Sequence, residues 1–273
     1  MTDARPEARI EDRGDHLLVT LSNPGRRNAL APSMYVELRA ALERAATEDR
    51  LGAVVLTGAN GYFCAGGDLN ALAQRAGLSR EDRRARIEDL QATIRAIRAC
   101  PRPVIAAVEG GAAGAGLSIA LACDLLVAAE DARFSAAYVR VGLVPDGGLT
   151  AALARRVPAG FAARLCLTGD PVDAAALAGM GVVTDLAAPG DAARLATTLA
   201  ARLAQGPAAA QAAIKALLAT AYDNGFDAQL DREADAMADA LAGPEAAAGI
   251  GARLNRATPD FARGGAPRKD TDR

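Results

Sequence analysis

Residues 103–130 have the sequence PVIAAVEGGAAGAGLSIALACDLLVAAE, which carries the clearest structural signal in the chain. It reads as a buried strand (103–110), a glycine- and alanine-rich turn (111–116), a buried helix and a second buried strand (124–130). Strands that are apolar throughout, rather than at alternate residues, are typical of parallel strands covered by helices on both faces. The stretch therefore predicts an α/β protein with a largely parallel sheet.

The same order of elements occurs earlier, where a short apolar strand at 52–58 runs into a glycine-punctuated turn at 61–69. A hairpin at 8–22 precedes it, and residues 133–150 show no regular pattern. Apolar spacing predicts the other elements, namely helices at 32–48, 80–99, 150–156, 159–167 and 173–179, a strand at 181–186, and helices at 190–204, 207–221, 226–242 and 244–254. We therefore expect an α/β core at 1–195 and a helical region at 196–273.

The composition of the 273 residues limits the possible functions. Hydrophobic residues make up 51% of the chain but aromatic residues only 3%, so small residues must pack the core and let backbones approach closely. The net charge is −2 without a basic block, which gives little support to nucleic-acid or membrane-surface binding. We recognise no secretory signal, no membrane span and no CxxC pair among the four cysteines, which predicts a cytoplasmic protein with reduced thiols.

His16 is the only histidine in the chain. A His-rich metal site is therefore impossible, and a Ser-His-Asp or Cys-His triad would have to use this one residue. It lies in the predicted hairpin, where we expect a structural, partly exposed side chain. Proton chemistry must then fall to carboxylates, tyrosine, lysine or water, and we expect no metal and no cofactor.

Both glycine-rich turns follow a buried strand and precede a helix. The first amides of a helix have no partner within the helix and lie at the positive end of its dipole. Glycine allows a ligand to approach such a backbone closely. Two turns facing each other would supply two N–H donors to one oxyanion, while the alternative is that the glycines only permit tight packing.

Ser118, in a GxSxA run, lacks a histidine partner and is not expected to be a nucleophile.

Several motifs together resemble the crotonase superfamily, the enoyl-CoA hydratases and isomerases, along nearly the whole chain. They are NPGRRNAL (23–30), LTGANGYFCAGGDL (56–69), the segment 103–135, VGLVPDGG (141–148), LTGDPVDAAALAGMGVVTDL (167–186) and RATPDF (256–261). The resemblance implies an α/β fold, a crotonase (ClpP-like) spiral of ββα units. It also implies a C-terminal helical trimerisation region, and hence a homotrimer or a hexamer formed as a dimer of trimers.

The resemblance also implies roles for individual residues. The backbone amides of Gly67 and Ala115 would form the oxyanion hole for the enolate of an acyl-CoA thioester, and Asp68 would cap the following helix. Coenzyme A is then part of the substrate. Further residues lie where the family binds substrate and CoA, namely Arg27, Ala29, Ala65, Gly66, Asp68, Leu69, Gly114 and Tyr138.

The reaction depends on which acids surround that oxyanion hole. Family hydratases position water with two glutamates, but here those positions hold Ser118 and Tyr138, while Glu130 is expected at the exposed end of a strand. Asp146, in VGLVPDGG, is the acid that remains, and this stretch resembles enoyl-CoA isomerases of the phenylacetate-pathway type. We therefore predict an isomerase with Asp146 as base. The alternative is that Asp146 only caps the helix after it.

Two other functions stay open at this point. Within the fold, the chain would be an enoyl-CoA hydratase (a lyase) or catalyse another acyl-CoA reaction. In a different class, it would be a non-catalytic acyl-CoA-binding or RNA-binding member, although the slightly acidic charge balance speaks against RNA. Acyl-chain identity and pathway do not follow from the sequence.

Overall fold

The computed structural model describes residues 5–261. Within this part of the chain there are nine strands: β1 (Glu7–Asp12), β2 (His16–Ser22), β3 (Ala53–Gly58), β4 (Val104–Val108), β5 (Gly111–Ala113), β6 (Leu125–Ala129), β7 (Arg133–Ser135), β8 (Val172–Asp173) and β9 (Asp185–Ala187). Six of them form one sheet in the order β1-β2-β3-β4-β6-β9, and the other three form a small sheet in the order β5-β7-β8.

Eleven α-helices surround these sheets within the same residues. They are α1 (Pro32–Thr47), α2 (Leu69–Arg75), α3 (Arg80–Ala99), α4 (Ala115–Ala122), α5 (Leu149–Arg156), α6 (Ala159–Thr168), α7 (Ala174–Ala178), α8 (Ala192–Ala204), α9 (Ala208–Thr220), α10 (Phe226–Leu241) and α11 (Pro244–Leu254). A short 3-10 helix at Ala137–Val141 lies between β7 and α5.

The parallel sheet predicted from residues 103–130 is confirmed. Strands β4 and β6 pair in parallel, from Ile105 opposite Leu125 to Val108 opposite Ala128, and β3 pairs in parallel with β4. Only the β1–β2 hairpin of the large sheet is antiparallel. Its turn uses Gly14, which adopts a φ of 92° and donates its amide to the Asp12 carboxylate at 2.9 Å.

Alternate residues of the central strands supply two separate cores. Val54, Leu56 and Ala106 face the larger core with α1, α3 and α4, whereas Val55 and Ile105 face a smaller core closed by α8. The face of α8 against the sheet consists of fully buried alanines, Ala192, Ala196 and Ala200. Such small side chains let the helix lie close to the strands, as the composition predicts.

The small sheet is the main feature that the sequence pattern missed. Residues 133–150 were expected to be irregular, yet they contain β7 and the 3-10 helix, and β5 lies inside the predicted glycine turn. The strand predicted at 181–186 is present, but it is shorter and begins later, because β9 starts only at Asp185. Gly181 adopts a φ of 74°, and the amide of Val182 donates to the carbonyl oxygen of Leu177, so these residues close a turn after α7.

The C-terminal helices α9, α10 and α11 follow the core, but the division predicted at residue 195 falls inside α8, which packs on the sheet. The two-part organisation stays a prediction, and residues 262–273 of its second part lie outside the described residues. None of the helices within 5–261 is long and apolar enough to cross a bilayer.

Candidate active site

The two glycine-rich turns lie against each other. The first, residues 64–68, follows β3, and the second, residues 110–116, connects β4 to α4 and contains β5. The amide of Cys64 donates to the carbonyl oxygen of Gly111 at 3.3 Å, and the amide of Ala113 donates to the carbonyl oxygen of Cys64 at 2.9 Å. These bonds hold the turns together at the carboxyl ends of parallel strands, where α/β sheets usually bind ligands.

Glycine is required where these turns touch. Gly66 has a φ of 91°, and a methyl group on it would lie 2.7 Å from the carbonyl oxygen of Ala113 and 3.0 Å from the amide nitrogen of Ala115. A methyl group on Gly116 would overlap the carbonyl oxygen of Cys64. The glycines thus do permit tight packing of the two turns, and this packing brings residues 66 and 67 close to the start of α4.

The amides predicted for the oxyanion hole lie next to this contact. Ala115 is the first residue of α4, so its N–H has no acceptor within the helix and lies at the positive end of the helix dipole. Gly67 directly follows Gly66. Within residues 5–261, neither the Gly67 amide nor the Ala115 amide donates a hydrogen bond to another protein group. Both donors are thus available to a ligand.

Asp68 holds the end of the first turn. Its carboxylate accepts a hydrogen bond from the amide of Asn70 at 2.8 Å and so caps α2, as expected, and it also accepts one from the Arg26 guanidinium at 2.6 Å. Leu69, the next residue, leaves 61% of its surface exposed beside the turn. A carboxylate cap of this kind fixes how residues 65–67 lead into α2.

Residues 27–30 form the third side of the first turn. The amide of Ala65 donates to the carbonyl oxygen of Arg27 at 2.9 Å, and the amide of Leu30 donates to that of Gly66 at 2.8 Å. Ala29 is buried between them. These bonds place Arg27, Ala29, Ala65 and Gly66 beside one another.

Arg27 also lines a surface cavity. Its guanidinium carbon lies 5.5 Å from the centre of the Tyr62 ring, a cation–π distance, and the two side chains share a cavity of ≈ 210 Å³ with residues of the loop after β3. The buried Asn28 side chain ties this loop down by donating to the carbonyl oxygens of Ala59 (2.9 Å) and Tyr62 (2.6 Å). Arg27 therefore lines a cavity whose other wall is fixed by the hydrogen bonds of Asn28.

Three polar side chains form a cluster beside the second turn. The Tyr138 hydroxyl donates to the Asp146 carboxylate at 2.7 Å and lies 3.1 Å from the Ser118 hydroxyl. Ser118 in turn donates to the carbonyl oxygen of Asp146 at 3.0 Å. A methyl group on Gly114 would lie 3.9 Å from the Tyr138 ring. The Tyr138 ring thus lies between Asp146 and Gly114, the residue that precedes Ala115.

The environment of Asp146 changes its acidity. Burial raises the pKa of the Asp146 carboxyl above its usual range, while the Tyr138 hydrogen bond and, more weakly, the Arg75 guanidinium lower that pKa. Burial and the neighbouring Asp146 raise the pKa of the Tyr138 hydroxyl, which therefore stays a neutral donor. The Asp146 carboxyl is therefore a stronger base than an ordinary aspartate.

Asp146 does not cap the following helix with its side chain. The N-cap of α5 is Gly148, which has no side chain, and the Asp146 carboxylate is directed to Tyr138 instead. The capping alternative is therefore not supported. Glu130 is exposed at the end of β6, as predicted.

The single histidine and the four cysteines lie outside this cluster. His16 was expected to be partly exposed but is buried, because β2 lies between β1 and β3 and the ring packs inside the sheet, 2.6 Å from the Asp15 carboxylate. The four cysteines are free thiols. Within residues 5–261, no group of His, Cys, Asp and Glu side chains is arranged as metal ligands would be.

Arg75 also belongs to this region, although no sequence pattern indicated it. It lies in the last turn of α2, and its charge reaches Asp146. The basic last turn of a helix was visible in the sequence, but its direction depends on how α2 follows the Asp68 cap. The Arg26–Asp68 ion pair was missed for the same reason, because it joins residues 42 positions apart.

Comparison with known proteins gives a consistent result. Residues 14–264 match the model of the enoyl-CoA hydratase/isomerase family. The crystal structure of an enoyl-CoA hydratase from Polaromonas sp. JS666 has a TM-score of 0.91 to this chain at 40% identity and covers 93% of this chain and 99% of that one. A putative enoyl-CoA hydratase from Streptomyces coelicolor has a TM-score of 0.89 at 35% identity, covering 96% and 98%.

Curated relatives match over shorter stretches. A probable enoyl-CoA hydratase of Mycobacterium tuberculosis is 43% identical over 157 residues, which is 58% of this chain and 60% of that protein. The 2,3-dehydroadipyl-CoA hydratase of Escherichia coli is 37% identical over 171 residues, 62% of this chain and 65% of the relative. The matched stretch thus spans between 60% and 65% of the length of these two relatives.

The parallel core, the paired glycine turns and these structural neighbours define a protein with the α/β crotonase fold, as the motifs predict. The chain belongs to the enoyl-CoA hydratase/isomerase family.

A proline at residue 115 tests the role of this amide. Proline lacks the N–H but is tolerated at the first position of a helix, so Ala115→Pro removes the donor and leaves α4 in place. We expect kcat with an enoyl-CoA substrate to fall about a hundred- to a thousandfold, the usual loss for one oxyanion donor. Ala115→Gly keeps the amide and is expected to stay close to wild type. Equal activity of the proline variant and the wild type would exclude this amide from catalysis.

Proposed function

We propose that this chain is an enoyl-CoA isomerase that shifts the double bond of an acyl-CoA thioester, with Asp146 as the base. The observation that carries the proposal is the Asp146 carboxylate, which is half-buried and hydrogen-bonded by Tyr138 at 2.7 Å beside the turn that presents the Ala115 amide. A single carboxylate of raised pKa suits a proton shuttle, because it removes and returns the same proton.

In this mechanism the thioester oxygen lies between the Gly67 and Ala115 amides. Removal of a proton from the α- or γ-carbon places negative charge on that oxygen, and donors held in advance by the fold lower the cost. Asp146 then returns the proton at the other end of the dienolate. The CoA part of the substrate binds along Arg27, Ala29, Ala65 and Leu69, and Tyr138 holds Asp146 in position.

Hydration is the second candidate. The relatives compared above are named hydratases, and one is named for 2,3-dehydroadipyl-CoA. Against it, the two positions where family hydratases place glutamates hold Ser118 and Tyr138, and these side chains hydrogen-bond to each other and to Asp146. We favour the isomerase because one carboxylate is present at this site rather than two.

Net charge and the state of the cysteines support the proposed cofactor, partner and location. We propose no cofactor beyond the CoA of the substrate and no nucleic-acid partner, since the net charge is slightly acidic. A cytoplasmic location is consistent with four free cysteines. A non-catalytic, acyl-CoA-binding role would leave the hydrogen-bonded Asp146 without a purpose.

Replacing the base separates these functions. Asp146→Asn keeps the size of the side chain but removes its basicity, so isomerisation of a 3-enoyl-CoA is expected to fall about a hundred- to ten-thousandfold. Glu130→Gln, at an exposed strand end, is the matched control and should not change the rate. Turnover of Asp146→Asn within a few-fold of wild type, or faster hydration of a 2-enoyl-CoA than isomerisation by the wild type, would contradict the isomerase assignment.

The pH dependence tests the role of Tyr138. The base acts as a carboxylate, so kcat/KM should fall as the pH drops through the raised pKa of Asp146. In Tyr138→Phe the hydrogen bond that lowers this pKa is lost, and the acidic limb of the profile should therefore move to higher pH. A limb that stays in place, or moves to lower pH, would show that Tyr138 does not act on the Asp146 carboxyl.

We also propose that the C-terminal helices assemble the chain into trimers or hexamers. Large apolar side chains are exposed along α10 and α11, namely Phe226, Leu230, Met237, Leu241, Ile250 and Leu254. Exposed apolar surface of this kind marks an interface between proteins. The mass measured by light scattering should be three or six times that of the chain, and Phe226→Asp with Leu254→Glu should reduce it. A monomeric wild type would contradict the proposal.

A further inference from the structure

A second cavity adjoins the Tyr138–Ser118–Asp146 cluster. It measures ≈ 680 Å³ and lies between α3, α4, α5 and α9, whose apolar side chains, including Ile94, Leu121 and Ile214, form much of its wall. Its volume is in the range of small-molecule sites in proteins. None of the residues already assigned to the CoA part of the site line it.

The cavity begins at the cluster and follows α4 away from the Ala115 amide. Ser118, which hydrogen-bonds to Tyr138, lines it, and so does Gly147, the residue after Asp146. Leu121, Ala122 and Cys123, at the other end of α4, also line it. With a rise of about 1.5 Å per helical residue, the cavity extends roughly 7 Å beyond the first turn of α4. Ser118 follows Ala115 by three residues on α4, so the near end of the cavity lies about one helical turn from the Ala115 amide.

The far part of the cavity is lined by four cations and one acid. The cations are Arg98, Arg155, Arg156 and Lys215, and the acid is Asp124. Lys215 is paired with Asp124 at 2.6 Å, and Arg155 is paired with Asp223 at 2.6 Å and packs over the Tyr222 ring. These pairs neutralise two of the four cations.

Arg98 and Arg156 remain without a carboxylate partner among residues 5–261. The Arg98 side chain makes one long hydrogen bond, 3.4 Å, to the carbonyl oxygen of Ala219, and the Arg156 side chain makes no hydrogen bond within the described part of the chain. Burial lowers the pKa of the Arg156 guanidinium, and the charge of nearby Arg98 lowers it further, while Cys123 and the carboxylate of Asp124, which is already paired with Lys215, raise it. Arg98 is exposed to solvent and Arg156 is half-buried, and two neighbouring cations at the wall of one cavity favour binding of an anion.

We propose that this cavity receives the far end of the acyl chain and that Arg98 and Arg156 bind a carboxylate at that end. The preferred substrates are then enoyl-CoA thioesters of dicarboxylic acids. The inference rests on the proposed function in one respect, namely that an acyl-CoA binds with its carbonyl oxygen at Gly67 and Ala115. A planar guanidinium recognises a carboxylate through two parallel hydrogen bonds, which selects against a methyl end.

The test compares two series of enoyl-CoA substrates of equal chain lengths, one ending in a methyl group and one in a carboxylate. The wild type should show kcat/KM values about tenfold or more higher for the carboxylate series at the length that reaches the arginines. Arg156→Gln and Arg98→Gln should remove this preference mainly through KM and leave turnover of the methyl series unchanged. Arg156→Lys should restore part of it, and Arg164→Gln, at an exposed arginine of α6 outside the cavity, should have no effect.

The outcomes distinguish the two proposals. No turnover of either series would contradict the proposed function itself. Turnover of both series at equal rates by the wild type, at every length, would overturn the carboxylate site while leaving the enzyme assignment intact. This wild-type comparison decides the matter even where an arginine variant fails to fold. Equal loss for both series in the glutamine variants would likewise show that the arginines stabilise the fold rather than bind the substrate.

Discussion

The site depends on one backbone-to-backbone contact, in which the turn after β3 packs against the turn before α4. Gly66 and Gly116 make it possible, because a side chain at either position would collide with the facing carbonyl groups. Parallel pairing of β3 with β4 brings both turns to the same edge of the sheet, and the Asp68 cap and the Arg27–Leu30 segment fix the first turn from the other side. The Gly67 and Ala115 amides thus lie beside a contact that the backbone makes, and the Asp68 carboxylate is the side chain that fixes the first turn.

This arrangement divides the chemistry between backbone and side chains. The amides of Gly67 and Ala115 are part of the fold and would stabilise negative charge on the oxygen of any thioester placed between them. The reaction that follows depends on the few side chains nearby. Here those side chains are Asp146, Tyr138 and Ser118, which are joined by three hydrogen bonds. In the further proposal, the charged side chains of the adjoining cavity likewise select the group at the far end of the substrate.

The sequence predicted the parts that depend on local pattern and motif. The apolar strands, the glycine turns, the Asp68 cap and the position of Asp146 could all be read along the chain. The small sheet could not be, since β5, β7 and β8 are two or three residues long and carry no detectable period. The burial of His16, the ion pair of Arg26 and the nearness of Arg75 to Asp146 depend on how distant segments meet. The cavity lined by Arg98 and Arg156 likewise combines four helices far apart in sequence.

A crystal structure with a saturated, unreactive acyl-CoA thioester tests the central claim most directly. We predict that the thioester carbonyl oxygen lies within about 3 Å of both the Gly67 and the Ala115 amide nitrogens, with the α-carbon facing the Asp146 carboxylate. A thioester bound with its carbonyl oxygen turned away from these amides, or amides that point in different directions around the ligand, would contradict the account.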